Sequence, residues 1–241
     1  MRFVSFVLVA VSLGAVADTR RSGFDDMSPA TQAMQRDDEQ NPALLWLRDG
    51  EQRFDADCSR CHAPASMRGV AVRYPAFDTA LARPVTLAER INLCRTRQMK
   101  AAPLAPESAP LLALEMVVAN ASRGMPIAPP DDTRLGPFRE QGRALFFRRL
   151  GQLDFSCAQC HDQHPGGRLA GSLIPQGHPT GYPIYRLEWQ DVGSLQRRLR
   201  NCMSGVRALP FDYGAPEFVA LELYLMQRAA GMALETPAVR P

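Results

Sequence analysis

Residues 157–161 read CAQCH and residues 58–62 read CSRCH. Each is Cys-x-x-Cys-His, the attachment signature of a c-type haem. Two thiols add to the two vinyl groups of the macrocycle, and the adjoining histidine then lies beneath the iron as proximal ligand. A single pentapeptide of this kind is also compatible with a redox dithiol or half a zinc site. Two of them, in a chain of six cysteines and four histidines, point to two covalently bound c-type haems. One set is Cys58, Cys61 and His62; the other is Cys157, Cys160 and His161.

Outward from the pentapeptides the chain repeats itself. Each is followed by a further cysteine with an arginine one helical turn earlier: Arg90 and Cys94 in ERINLCRTRQMK (89–100), Arg198 and Cys202 in SLQRRLRNCMSGVRALP (194–210). Next come ALEM (113–116) and ALEL (220–223), then Gly-Met at 124–125 and 231–232. The order predicts two tandem cytochrome c-like haem domains, 18–128 and 129–241, with a linker in PIAPPDDTRLGP (126–137). The fold class expected is all-α. GPFREQGRALFFRRLG (136–151) carries apolar residues near one face, and APLLALEMVVANASRG (109–124) and APEFVALELYLMQRAAG (215–231) start near proline and end at glycine. The 20 prolines predict short helices and many loops. No segment alternates long enough to predict a sheet.

The first residues, MRFVSFVLVAVSLGAVADTR, combine one basic residue, an apolar run from Phe3 to Leu13 and the small-residue site Ala15-Val16-Ala17. That is the pattern of an export signal over residues 1–17, cleaved before Asp18. The apolar run is too short for a membrane anchor, and the mature chain has no predicted span. A formal net charge of +3 gives no case for nucleic acid. Export to an oxidising compartment, the periplasm, sharpens the question of the two remaining cysteines.

Three readings of Cys94 and Cys202 stand side by side. Either thiolate could fill the open coordination position of its haem, Met125 and Met232 could do so instead, or the two cysteines could form a disulfide. A bridge between equivalent positions requires the two sites to be face to face within about 6 Å, which is awkward if each adjoins its own haem. Arg90 and Arg198 would lower the pKa of a thiol one turn away if those segments are helical. His164 and His178 lie in turn-rich polar stretches and read as solvated loop residues, and Trp46 and Trp189 as packing.

With these residues in view, the chain resembles the dihaem form of SoxA, the larger subunit of the SoxAX cytochromes of bacterial sulfur oxidation. QGHPTGYPIYRLEWQDVGSLQRRLRNCMSGVRA and FVALELYLMQRAAGMALETPAVRP carry the resemblance most continuously. It implies His/thiolate ligation, with Cys94 on the first iron and Cys202, as a persulfide, on the second. It also implies an L-cysteine S-thiosulfotransferase, which joins thiosulfate oxidatively to a cysteine of a SoxY-like carrier protein and passes two electrons to haem. A small SoxX-like cytochrome c is the implied partner, and Arg198 and Cys202 are the implied catalytic residues. Another arginine of the family falls at Ala170 here, with Arg168 nearby. For thiosulfate, a dianion, the arginines around Cys202, including Arg207, offer charge, and Ser204-Gly205 offer room. A dihaem thiosulfate dehydrogenase forming tetrathionate and a non-catalytic electron carrier are the alternatives.

Overall fold

The structure is a computed structural model and describes residues 18–169 and 171–241. The predicted export signal, residues 1–17, and Ala170 lie outside the described residues.

The first helix, α1 (Pro29–Arg36), starts where Ser28 accepts a hydrogen bond from the Thr31 backbone and Pro29 opens the first turn. It is followed by α2 (Leu44–Asp57), a hairpin of β1 (Ala76–Asp78) and β2 (Arg83–Val85), then α3 (Leu87–Arg97) and α4 (Ala109–Asn120). The second half repeats the series: α5 (Gly136–Phe147), the short α6 (Cys157–His161), a small hairpin of β3 (Arg168–Leu169) and β4 (Ser172–Leu173), then β5 (Ile184–Arg186), β6 (Asp191–Gly193), α7 (Leu195–Gly205) and α8 (Pro216–Arg228). The last strand, β7 (Ala238–Arg240), runs parallel to β5, while β6 pairs with β5 on its other edge in antiparallel register. The fold is thus largely helical, as expected. It differs from the expectation in carrying two- and three-residue strands, too short for alternation to reveal them.

The halves match element by element. One constant offset separates the cis Tyr74–Pro75 bond from the cis Tyr182–Pro183 bond, Thr86 from Ser194 as helix caps, and Cys94 from Cys202. Each half is built on a close helix crossing. A Cβ on Gly50 of α2 would lie 2.1 Å from the Ala113 carbonyl oxygen of α4, and one on Gly142 of α5 would lie 2.0 Å from that of Ala220 in α8. Only glycine lets the two backbones meet there. Phe54 and Phe146, one turn further on, are buried at the same crossings.

Two features join the halves. The Gly-Met segments pair with one another: Gly124 N–H donates to the Leu234 carbonyl and Gly231 N–H to that of Ile127, both at 2.8 Å, around an antiparallel bridge of Pro126 and Ala233. Met125 and Met232 pack into the apolar cluster beneath this ribbon, with Phe54, Met67, Val118 and Ile127. Behind the ribbon a cavity of about 300 Å³ collects Glu107, Glu115 of ALEM and Glu222 of ALEL. Burial pushes the Glu115 carboxyl up to about 8 and the Glu222 carboxyl up to about 7. Gln196 donates to Glu222 at 2.6 Å.

The N-terminal segment also reaches across to the second half. Arg21 N–H donates to Gln176 at 2.7 Å, Asn41 donates to the Pro237 carbonyl at 3.1 Å, and Gln35 accepts from the Val239 N–H at 3.0 Å. Ala43 and Leu47 share a cluster with Tyr185, Val192 and Val239.

Candidate functional site

The second pentapeptide is a helix because its neighbours cap it. Ser156 accepts from the Gln159 N–H, and the Gln159 side chain returns to the Ser156 N–H at 2.8 Å. This reciprocal box fixes α6 so that Cys157 and His161, one turn apart, face the same way. They open into a cavity of about 570 Å³ walled by Phe146, Leu195, Leu199, Leu221 and Leu225. That size lies within the range of cofactor pockets.

Opposite them stands α7, capped by Ser194. Its residues divide by face. Arg197 turns out to Asp191 at 3.2 Å and to the Trp189 ring at 4.4 Å, and Arg200 turns to the Phe211 carbonyl and the Tyr213 ring. Arg198 and Cys202, with Leu195 and Leu199, line the cavity.

His161 and Cys202 both line this cavity. Burial alone would raise the Cys202 thiol, but the neighbouring His161 imidazole and the Arg198 charge bring it below the ordinary thiol value. His161 moves the other way: burial lowers it, and the Cys202 partner more than restores it. Its Nδ1 is bonded to the Pro175 carbonyl at 2.7 Å. Nδ1–H therefore points to backbone, and Nε2 is left for the cavity. Gly177 supports this orientation, because at its φ of +74° a Cβ would lie 3.1 Å from the imidazole.

These residues fit a c-type haem. An imidazole nitrogen and a cysteine sulfur line one cavity, and both are donor types that haem iron takes. Cys157, pushed up to about 12 by burial and by nearby Cys202, is a neutral thiol in an apolar wall, where an uncharged thioether belongs. Cys160 lies close enough for Cys202 to raise it as well.

The first site is more open. Here α2 ends at Asp57 and Cys58 is its cap, so the pentapeptide forms a turn closed by His62 N–H to the Cys58 carbonyl at 2.9 Å. Cys61 and His62 are exposed. Cys94, on α3, acts electrostatically on Cys58 along with Cys61. Arg95 reaches Asp57 at 2.6 Å. Arg90 is occupied by Asp78 at 2.9 Å, unlike Arg198.

Each spare cysteine thus stands with its own pentapeptide, and no disulfide joins Cys94 to Cys202. Met125 and Met232 lie in the ribbon cluster, and neither lines the second cavity. Arg168 lines that cavity and Arg207 does not. Gly205 makes no close approach, since a Cβ there would meet nothing within 4 Å. His164 is exposed, as expected, but His178 lines the cavity with Nδ1 buried and without a hydrogen-bond partner. Its turn-rich surroundings gave no sign of this. Burial, then the charges of Arg228 and Arg20, lower it to about 4.

Comparison with known proteins agrees with this geometry. The family model described as SoxA/TsdA, cytochrome c domain, matches residues 45–127 and 141–234. The L-cysteine S-thiosulfotransferase subunit SoxA of Rhodovulum sulfidophilum is 33% identical over 92% of this chain and 81% of its own. That of Paracoccus pantotrophus is 30% identical over 92% and 80%. The crystal structure of SoxXA from P. pantotrophus superposes with a TM-score of 0.88 at 30% identity, covering 93% of this chain and 88% of that one. With both halves matched and relatives that span nearly its whole length, the chain is a c-type haem protein and belongs to the SoxA/TsdA cytochrome c family, on its SoxA side.

Proposed function

We propose that this chain is the haem-bearing catalytic subunit of an L-cysteine S-thiosulfotransferase, which joins thiosulfate to a cysteine of a sulfur-carrier protein. The observation that carries this reading is the convergence of His161, Cys202 and Arg198 on one apolar-walled cavity. Cys157, Cys160, His161 and Cys202 would hold the second haem. Cys58, Cys61, His62 and Cys94 supply the matching donor set for the first. Bound haem supplies one-electron acceptance.

The overall reaction consumes one thiol and one thiosulfate dianion, forms one S–S bond, and releases one proton and two electrons. Arg198 contributes a buried positive charge that attracts the dianion and favours ionisation of Cys202. Cys202 presents a polarisable sulfur to the sulfane atom of thiosulfate. The apolar leucines exclude water, which strengthens both interactions.

Domains 18–128 and 129–241 are taken as the two haem units. Among the described residues no helix is long and apolar enough to cross a membrane. A periplasmic location after removal of residues 1–17, and a small SoxX-like cytochrome c partner, follow from the export pattern and from the likeness to the SoxXA structure. The test is Cys202→Ser in the haem-loaded protein with thiosulfate and a carrier thiol. Conjugation is expected to fall at least about 1,000-fold. Wild-type turnover in a fully haem-loaded variant would overturn the proposal. Electron release from thiosulfate without any carrier thiol would instead favour tetrathionate formation.

A further inference from the structure

At one matched position beside the second cavity the two halves carry opposite charges. In the first half Asp78, at the end of β1 and 4% exposed, takes both Arg90 at 2.9 Å and Arg97 at 3.0 Å. Those two guanidiniums hold its carboxyl down at about 2 against the effect of burial. The offset that relates Cys94 to Cys202 and Arg90 to Arg198 carries Asp78 onto Arg186 and Arg97 onto Gly205. A carboxylate shared by two arginines in one half is thus replaced by a cation beside Arg198 in the other.

The consequence is local and large. Arg186 ends β5 and is 8% exposed, yet it lines the same cavity as Arg198 and Cys202. Its Nε donates to the Pro241 carbonyl at 2.9 Å, and Nη2 pairs with Glu188 at 2.8 Å, a carboxylate that is itself half exposed. Its other amino group, Nη1, has no hydrogen-bond partner among the described residues. Arg198 forms no ion pair with a carboxylate among them either. Burial, then the like charge of Arg198, lower the Arg186 pKa. Two poorly solvated guanidiniums held over one cavity repel each other unless something negative lies between them. A small anion with several oxygen acceptors would lower that repulsion and satisfy the free donors.

We propose that Arg186 is a second substrate-binding residue, which holds the sulfonate oxygens of thiosulfate together with Arg198. The exchange of aspartate for arginine at this position sets two guanidiniums on the second cavity, where the first half places a carboxylate between its two. This assignment rests on the thiosulfate-conjugating reading of the site.

The test uses the haem-loaded protein and the variants Arg186→Gln and Arg186→Lys. Three quantities are read: KM and kcat with a carrier thiol, the rise in Tm caused by thiosulfate alone at constant ionic strength, and the haem potentials. Loss of a charge-assisted contact is expected to raise KM for thiosulfate about 10- to 100-fold with little change in kcat. The thiosulfate-dependent rise in Tm should vanish in Arg186→Gln, recover in part in Arg186→Lys, and leave the haem potentials unchanged. An unchanged KM in either folded variant overturns the assignment. So does a shift in haem potential with the thiosulfate response intact, which would make Arg186 a partner of the haem carboxylates. A wild-type protein that binds thiosulfate through Arg186 but never conjugates it would sink the activity and leave the anion site standing.

Discussion

Replacing Glu115 by glutamine should make the protein more stable in mild alkali and leave it unchanged in acid. The carboxyl faces the cavity between the halves, where burial first and Glu222 second raise it from 4.5 to about 8. Below pH 4.5 it is protonated whether the chain is folded or not and contributes nothing to the pH dependence. Between 4.5 and 8 the unfolded chain ionises freely while the folded one must hold its proton or bury a charge. Stability is therefore lost as pH rises, at about 1.4 kcal/mol per pH unit. Across the full interval this amounts to roughly 5 kcal/mol, reduced to about 3 kcal/mol by the polar lining and water access of the cavity. Glutamine keeps the shape and cannot ionise. Urea unfolding of the haem-loaded protein, followed by far-ultraviolet circular dichroism, should show Glu115→Gln ahead by about 3 kcal/mol at pH 8.5 and within about 0.5 kcal/mol at pH 4.5. Parallel pH profiles for variant and wild type would refute the reasoning.

Gly142→Ala gains about 1 kcal/mol of helix propensity but drives a methyl to 2.0 Å from the Ala220 carbonyl oxygen. The clash wins, and denaturant unfolding should show a net loss of about 3 kcal/mol. Gly177→Ala, at φ +74° and against the His161 ring, should cost roughly 1–2 kcal/mol and alter the low-spin haem signal in electron paramagnetic resonance. Gly205→Ala, with open space around its Cβ, should leave that signal unchanged. Cys94→Ser should retain conjugation where Cys202→Ser abolishes it, because only Cys202 shares its cavity with an arginine not claimed by a carboxylate; turnover assays on the two variants decide this.

What could be read directly from the residues were the features set by short spacings. Cys157 and His161 are one turn apart, as are Arg198 and Cys202, so local helix geometry alone brings each pair to one face. Thr86 and Ser194 likewise announce their helices as caps. What could not be read depends on contacts distant in sequence. Gly-Met at 124–125 and at 231–232 looks like a ligand loop, but its backbone is used for cross-pairing of the halves. Residues such as Gly177, His178 and Arg186 acquire their roles only because a loop and a strand fold over the cavity. The strands escaped notice because two or three residues carry no period. Arg186 was the nearest to visible: comparing the repeats position by position shows the change of sign opposite Asp78.

The threading of residues 18–43 sets a condition for anyone who dissects the molecule. Because Arg21, Gln35 and Asn41 are bonded to Gln176, Val239 and Pro237, a gene fragment beginning after the linker would strip the later lobe of its clasp and uncover its terminal strand. A rearranged chain that runs from position 129 to 241 and on through a short tether into residues 18–43, ending before the first pentapeptide, keeps that clasp covalently attached. It is the better vehicle for studying the second haem in isolation.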